Sequence, residues 1–304
     1  MTHTDWDVVG VGENSVDHLM RVPFLPSPEA ASKIQILEST HTPGGQVVTT
    51  LCTCAAMGLR AAYVGAFGSD EDAGRLRDAL TARGIDLQSA VVRSAENRSA
   101  LILVDARNGD RVVMEHRAAA LRLTPADVPA ATITQARVVH VDGVDEDAAL
   151  YAAGLGRAAG AHVTCDLDHL GSRTGEILEE VTIPILAQGL PETLTGESDP
   201  ERALRKLAAP HARLRCVTLG AQGALLLDGD RVYRVPAPQV TAVDTTGAGD
   251  VFRGAFIVAL LRGDAPDAIL RFANAAAALS CTRAGAIGGV PTLAEVKTFL
   301  RVDS

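Results

Sequence analysis

An α/β fold on a central, mostly parallel sheet is predicted by three observations. Short β-branched runs alternate with stretches of helical length, several of those runs are apolar throughout, and glycine or aspartate falls where they end. At 304 residues, with no linker, internal repeat or low-complexity tract, the chain reads as one unit, residues 1–304, folding around one continuous sheet.

Asp7-Val8-Val9-Gly10-Val11-Gly12 reads as a buried first strand, with Gly12 allowing a tight turn. Its Gly-x-Gly is a weak dinucleotide signal, because Glu13-Asn14-Ser15 follows where a third glycine is needed. Residues 19–42 alternate apolar and polar with several prolines, which fits exposed strands and turns better than a helix. Gly44-Gly45-Gln46-Val47-Val48-Thr49 opens a helix of small residues, 50–57, closed by Gly58. The glycine pair is either a plain loop or a place where a substrate approaches backbone N–H groups. Residues 60–68 read as the second strand, Asp70-Glu71-Asp72 as an acid-rich helix start and 74–83 as the helix itself. Val91-Val92, 99–105 and 111–116 are short strands, the last two flanking a turn marked by Asn108-Gly109.

From Ala136 the rhythm is strand 138–141, helix 146–159, strand 162–166, helix 175–180, strand 183–186, helix 200–209 and strand 216–218. Such β-then-α units imply ligands at the carboxyl ends of the strands, where Asp142, Asp166 and Asp168 fall. Residues 218–225 give strand, small-residue turn and strand, while 232–235 and 240–243 extend the β region, with Pro236 and Pro238 at edges. Two helices, 251–261 and 268–282, complete the pattern.

Composition narrows the function. Apolar residues at 47% with charged residues at 21% describe an ordinary globular protein, and no run approaches the roughly 18 apolar residues of a membrane span. The start, Met1-Thr2-His3-Thr4-Asp5-Trp6-Asp7, has no basic leader, so a cytoplasmic protein is expected. Cys52, Cys54, Cys165, Cys216 and Cys281 lie scattered in apolar or small-residue surroundings, which predicts reduced, mostly buried thiols. A net charge of −9 argues against nucleic acid or an anionic membrane as partner, so any phosphate site must be local.

One stretch supplies such a site. Between Asp244 and Asp250, the small residues Gly247, Ala248 and Gly249 leave successive N–H groups unscreened, and the apolar helix that follows adds its dipole. Asp250 then stands where a carboxylate can take a proton from a hydroxyl about to attack phosphorus. Taken alone, such a tetrapeptide is usually only a tight turn ending in a capping aspartate. The G-x-x-x-x-G-K-[ST] phosphate loop is absent from the sequence.

The stretch Asp244-Thr245-Thr246-Gly247-Ala248-Gly249-Asp250-Val251-Phe252, with Gly254-Ala255, resembles the C-terminal signature of the ribokinase (PfkB) family of carbohydrate kinases. Gly44-Gly45 with Gly58 and Val64-Gly65 resembles the family's N-terminal signature. Arg271-Phe272-Ala273-Asn274, through Cys281-Thr282-Arg283-Ala284-Gly285 to Pro291, resembles its closing segment. The similarity covers almost the whole chain and extends about equally to ribokinases, fructokinases, ketohexokinase and sulfofructose kinase.

The resemblance implies a ribokinase-like three-layer α/β/α fold with a small β lid from about 15–43 and 92–118. It implies an ATP-dependent kinase for a hydroxyl of ribose, fructose or a related sugar, with Asp250 as general base and Gly247, Ala248 and Gly249 as the anion hole. Ser15, Asp17, Gly44, Gly45, Gln46, Thr49 and Asp142 would bind the acceptor. Gln188, Thr218, Gly220, Gly223, Gly249 and Asn274 would bind the nucleotide. Asp244, Thr246, Ser280, Arg283, Gly285 and Gly289 would surround a potassium ion, magnesium would bridge the nucleotide phosphates, and paired lids would make a homodimer. Outside the family context, Asp142 is equally a loop carboxylate, Asn274 a solvated helix residue and 218–225 a plain hairpin.

Two departures stand out: Thr49 occupies a position where many sugar kinases carry Asn, and Gln188-Gly189-Leu190-Pro191 replaces Asn-x-x-Glu, with Glu192 one place late. The helix after Gln188 is expected to take Thr193 or Thr195 as its cap. Rival readings are a nucleoside kinase and a non-catalytic sugar- or nucleotide-binding homologue; retention of Asp250 opposes the latter.

Overall fold

Fourteen strands and ten α-helices form among the described residues, 5–27, 33–107 and 110–302 of the computed structural model. The first part of the chain gives β1 (Trp6–Val11), β2 (Ser15–Val22), β3 (Glu38–Gly44), α1 (Gln46–Ala56), β4 (Ala61–Val64), β5 (Ala66–Phe67), α2 (Glu71–Thr81), β6 (Val91–Val92), β7 (Ser99–Asp105) and β8 (Arg111–His116). The middle gives α3 (Ala130–Thr134), β9 (Ala136–Asp142), α4 (Glu146–Ala158), β10 (His162–Leu167), α5 (Thr174–Glu180), β11 (Ile183–Ala187), α6 (Leu190–Thr195), α7 (Pro200–Lys206) and β12 (Leu214–Thr218). The last part gives β13 (Ala224–Asp228), β14 (Arg231–Val235), α8 (Ala248–Arg262), α9 (Pro266–Ser280) and α10 (Leu293–Val302).

The main sheet has the order β14-β13-β12-β11-β10-β9-β1-β4, parallel from β12 to β4, with β13 and β14 added antiparallel at one edge. The strands are apolar throughout because helices cover both faces. Side chains alternate between those faces: Val9, Val139 and Val163 pack with α4 and α5, whereas Val8 and Val138 pack with α1. Helices α8 and α9 cover the same side as α1 through Phe252, Phe256 and Phe272. The carboxyl ends of β1, β9, β10, β11 and β12 therefore share one edge.

A second sheet, β3-β2-β7-β8, stands apart from the first, and its edge strand β8 is exposed along its length. Val92 belongs elsewhere: β6 pairs in parallel with β5.

Several boundaries differ from the sequence reading. Helix α1 starts at Gln46, four residues early, because Gly45 takes a φ of 103° and serves as its N-cap. Residues 240–243 form no strand, since Val243 and Asp244 donate their N–H groups to the Cys281 carbonyl. Helix α7 ends at Lys206 and α9 starts at Pro266, a residue that suits a first helical turn. Neither Thr193 nor Thr195 caps α6; Gly189 does, and both hydroxyls bond back to helix carbonyls. The Met1–Thr4 leader reading, part of the 19–42 reading and the Asn108-Gly109 turn lie outside the described residues, although β7 and β8 do pair antiparallel. All five cysteines are free thiols, four buried and Cys281 half-buried. Among the described residues, no helix is long and apolar enough to cross a membrane.

Candidate active site

Helix α8 begins abruptly because Gly247, with a φ of 75°, turns the chain into it. Room is scarce there: an added Cβ would lie 2.7 Å from the Ala286 Cβ and 2.9 Å from its Cα. Behind the turn, the Asp244 carboxylate accepts from the N–H of Thr246 at 2.9 Å and of Gly285 at 2.8 Å. Burial alone would raise the Asp244 pKa, but these donors hold it below the ordinary carboxylate range. Asp250 lies in the first turn of α8, and its carbonyl accepts from Thr50 Oγ1 at 3.2 Å, tying α8 to α1.

Two cavities meet at this turn. One, of ≈ 380 Å³, has walls from the β12–β13 turn, residues 237–242 and α9, including Thr218, Gly220, Gly223, Phe252 and Asn274, and reaches Ala248 and Gly249. The other, of ≈ 300 Å³, is lined by Glu13, Ser15, Asp17, Gly45 and Gln46, by Arg111, Val113, Glu115 and Arg117 of the lid side, and by Gly247 and Asp250. Thr245 belongs to both. The first is largely apolar with few polar groups, as nucleotide base sites are; the second is rich in groups that bind hydroxyls.

A polar network fixes the turn after β1 that presents Ser15 and Asp17. Tyr63 donates its hydroxyl to the Gly12 carbonyl at 2.8 Å, Asn14 Nδ2 donates to the Tyr63 oxygen at 2.8 Å, and Asn97 Nδ2 donates to Asn14 Oδ1 at 3.0 Å. Gly45 packs against this turn, since an added Cβ would meet the Asn14 Cα at 2.7 Å. Burial raises the pKa of Asp17, partly offset by the Ser15 hydroxyl, and burial likewise raises Glu13 against the pull of Arg117 and Arg98. Asp250 is raised well above the ordinary value, first by burial and then by the neighbouring Asp166 carboxylate, with Arg253 opposing both.

Other expected residues are placed differently. Asp142 is fully buried under Gly12 and accepts from the N–H of Glu13 at 2.6 Å and of Val144 at 3.0 Å, so it is not brought to a cavity wall. Thr49 is buried behind Gly247, and its hydroxyl has no partner among the described residues. Gly44 backs onto Asp17, with an added Cβ 2.8 Å from Asp17 Oδ2. Gln188 is exposed and lines neither cavity. Asn274 reaches the first cavity, but its Nδ2 donates to the Val235 carbonyl at 2.9 Å. Glu13, Arg111, Glu115 and Arg117 were not legible as site residues, because charged side chains on a loop and an edge strand read as solvated ones. The alternation of 111, 113, 115 and 117 was the available signal.

Cation sites can be tested on the same geometry. At Gly289, an added Cβ would lie 2.9 Å from the Ser280 carbonyl oxygen and 3.0 Å from that of Gly285, two oxygens that already accept from the N–H groups of Arg283 at 3.1 Å and Gly289 at 2.8 Å. The Arg283 side chain is engaged by Glu295, which leaves it only a backbone role there. No group of three or more His, Cys, Asp or Glu side chains gathers among the described residues. Glu192, in the first turn of α6 just past the end of β11, keeps a buried Oε2 without a hydrogen-bond partner among the described residues and fits as one carboxylate toward a magnesium ion.

The model of the pfkB family of carbohydrate kinases matches residues 7–293. Fructokinase-1 of Oryza sativa subsp. japonica is 30% identical over 95% of this chain and 96% of its own length. A nucleoside kinase of Methanothermobacter thermautotrophicus is 27% identical over 97% and 96%. The crystal structure of a ribokinase from Thermotoga maritima superposes with a TM-score of 0.86 at 26% identity, over 97% of this chain and 99% of that one. With both cavities and the turn between them inside the matched span, the chain belongs to the pfkB family of carbohydrate kinases, an ATP-dependent kinase of ribokinase-like fold.

Proposed function

We propose that the chain transfers the γ-phosphoryl group of ATP to a hydroxyl of a sugar or sugar derivative, with Asp250 as the base. The observation that carries this reading is the split of one turn between two cavities: Ala248 and Gly249 face the larger, Gly247 and Asp250 the smaller. ATP in the larger cavity would set its γ-phosphate at the start of α8, where unscreened N–H groups and the helix dipole stabilise the charge that develops in transfer. Asp250 takes the proton of the acceptor hydroxyl, the acceptor oxygen bonds to phosphorus, and the bond from phosphorus to the β–γ bridging oxygen breaks to release ADP. Asp17, Ser15, Glu13 and the Gly45 turn orient the acceptor, carboxylate oxygens accepting from adjacent hydroxyls.

Magnesium brought in on the nucleotide would rest on its phosphates with Glu192 as the protein carboxylate, and would neutralise their charge. Potassium at the Ser280 and Gly285 carbonyls would pin the segment that Asp244 already braces. Five free thiols fit work in the reducing cytoplasm. Val112 and Met114 on the lid edge offer apolar surface for a second copy.

ADP release with ATP and a panel of ketoses, pentoses, sulfosugars and nucleosides identifies the acceptor. Asp250→Asn should retain the thermal transition and lose turnover by about 10²–10⁴-fold. Near-normal turnover in that variant overturns the assignment of the base.

A further inference from the structure

One charged cluster beside Asp250 lies outside both cavities. Arg253, three residues on and hence on the same side of α8, is almost wholly buried. Its Nη2 lies 2.7 Å from Oδ1 of Asp166, which is also buried, at the carboxyl end of β10. That contact lacks hydrogen-bond geometry, and neither Asp166 oxygen nor Arg253 Nη2 has a hydrogen-bond partner among the described residues. Arg253 Nε approaches the Ile185 carbonyl of β11 at 3.4 Å. Its Nη1 packs under the anion-hole turn, where a Cβ added to Gly249 would come within 2.8 Å of it.

A guanidinium is misplaced here on two counts. It is buried, and it sits in the first turns of a helix, where the dipole is already positive. Such a placement persists only where anions face it, and two carboxylates do. Asp166 holds one side, and the Asp250 carboxyl faces Asp166 closely enough for the two to share a hydrogen bond when either is protonated. Arg253, Asp166 and Asp250 thus form one cluster between β10 and α8, with two potential negative charges against one positive.

We propose that the Arg253–Asp166 pair is a positioning device for Asp250, in which Asp166 steers the base carboxyl toward the acceptor cavity and Arg253 offsets the second negative charge so that the base is free to take a proton. The proposal rests on the reading of Asp250 as base and assigns neither partner contact with substrate, since neither lines a cavity. The other groups facing Asp250 are Asp168 just past β10, the charged Glu13, Asp17, Arg111, Glu115 and Arg117 of the acceptor cavity, and the Thr50 hydroxyl on its backbone carbonyl. Buried His140 on β9 is held neutral, its pKa pushed down to about 3 by burial and by Arg253, so it adds no competing charge. Burial and Asp166 push Asp250 up while Arg253 opposes them, in keeping with the geometry.

The test is the pH profile of kcat/KM from pH 5 to 9.5, for the best acceptor of the panel. In Arg253→Met the acid limb should move up by about one pH unit or more, a loss of about tenfold on that limb that shrinks above it. In Asp166→Asn the limb should move down, Arg253→Lys should stay near wild type, and the double variant Asp166→Asn/Arg253→Met should fall between the singles. Loss by one factor at every pH in both single variants, with unshifted limbs, overturns the proposal and leaves a structural role only. Should Arg253→Met fail to fold, the near-isosteric Asp166→Asn decides by its limb alone. Asp250→Asn, run alongside, separates the two claims: its activity sinks the base assignment, whereas its inactivity with unshifted limbs elsewhere sinks only the positioning role.

Discussion

Asp142 illustrates how a side chain at the right strand end can be taken up by the protein's own backbone. Its two oxygens each accept from a backbone N–H, of Glu13 and of Val144. Asp142→Asn turns one acceptor into a donor facing a donor, and should destabilise by about 1–3 kcal/mol in denaturant melts. The acceptor KM should stay within about twofold, because no substrate contact is lost. A large rise in KM at unchanged stability would return Asp142 to the acceptor site. The same residue sets a pH dependence. Burial, then the neighbouring Glu13, pushes its pKa up to about 8 from 3.8, against the two N–H donors. The folded state therefore keeps a proton that the unfolded chain has released, so this contribution is fully present below about pH 4 and is lost as pH rises through 8. His140, shifted the other way, gains stability only up to its ordinary value of 6.5. Between pH 6.5 and 8.5 the melting temperature should therefore fall, and fall less in Asp142→Asn; a flat wild-type curve would refute this.

At the scale of elements, the start of α8 depends on backbone shape as much as on charge. Gly247→Ala must hold a left-handed φ, at about 1–2 kcal/mol, and must also displace Ala286. We expect a lower melting temperature together with a drop in kcat of about tenfold or more, because the N–H groups are no longer aimed at one point. Stability and kcat both at wild-type level would show that the turn tolerates other shapes. This element was legible as glycines ahead of an apolar helix. The 240–243 run misled for a physical reason: Val240 and Ala242 wall a cavity, and the Val243 N–H bonds to the end of α9 instead of to a strand. The start of α1 was missed because only the tertiary setting shows Gly45 reaching its φ against the Asn14 turn.

Over the whole molecule, the small sheet sets the acceptor chamber against the main sheet. On β8, Arg111, Val113 and Glu115 line the chamber, and by strand alternation the intervening Val112 and Met114 project from the other face, all three apolar side chains being exposed, at 48% for Val113 and 44% and 45% for Val112 and Met114. Paired lids would cover that apolar face. Val112→Glu/Met114→Glu should yield monomers by sedimentation where the wild type sediments as a dimer, since paired carboxylates resist desolvation in an interface. A monomeric wild type would remove the proposal.

The alternation of strands and helices from β9 to β12, the glycine turn ahead of α8 and Asp250 could be read from the chain alone, because local spacing and backbone freedom are properties of neighbouring residues. What lay beyond reach was which carboxylate meets solvent and which is buried: Glu13 at the chamber, Asp142 beneath it, Asp166 against Arg253. Those distinctions arise between residues over a hundred positions apart or on different elements, where burial and the nearest charge are fixed only once the sheet has assembled.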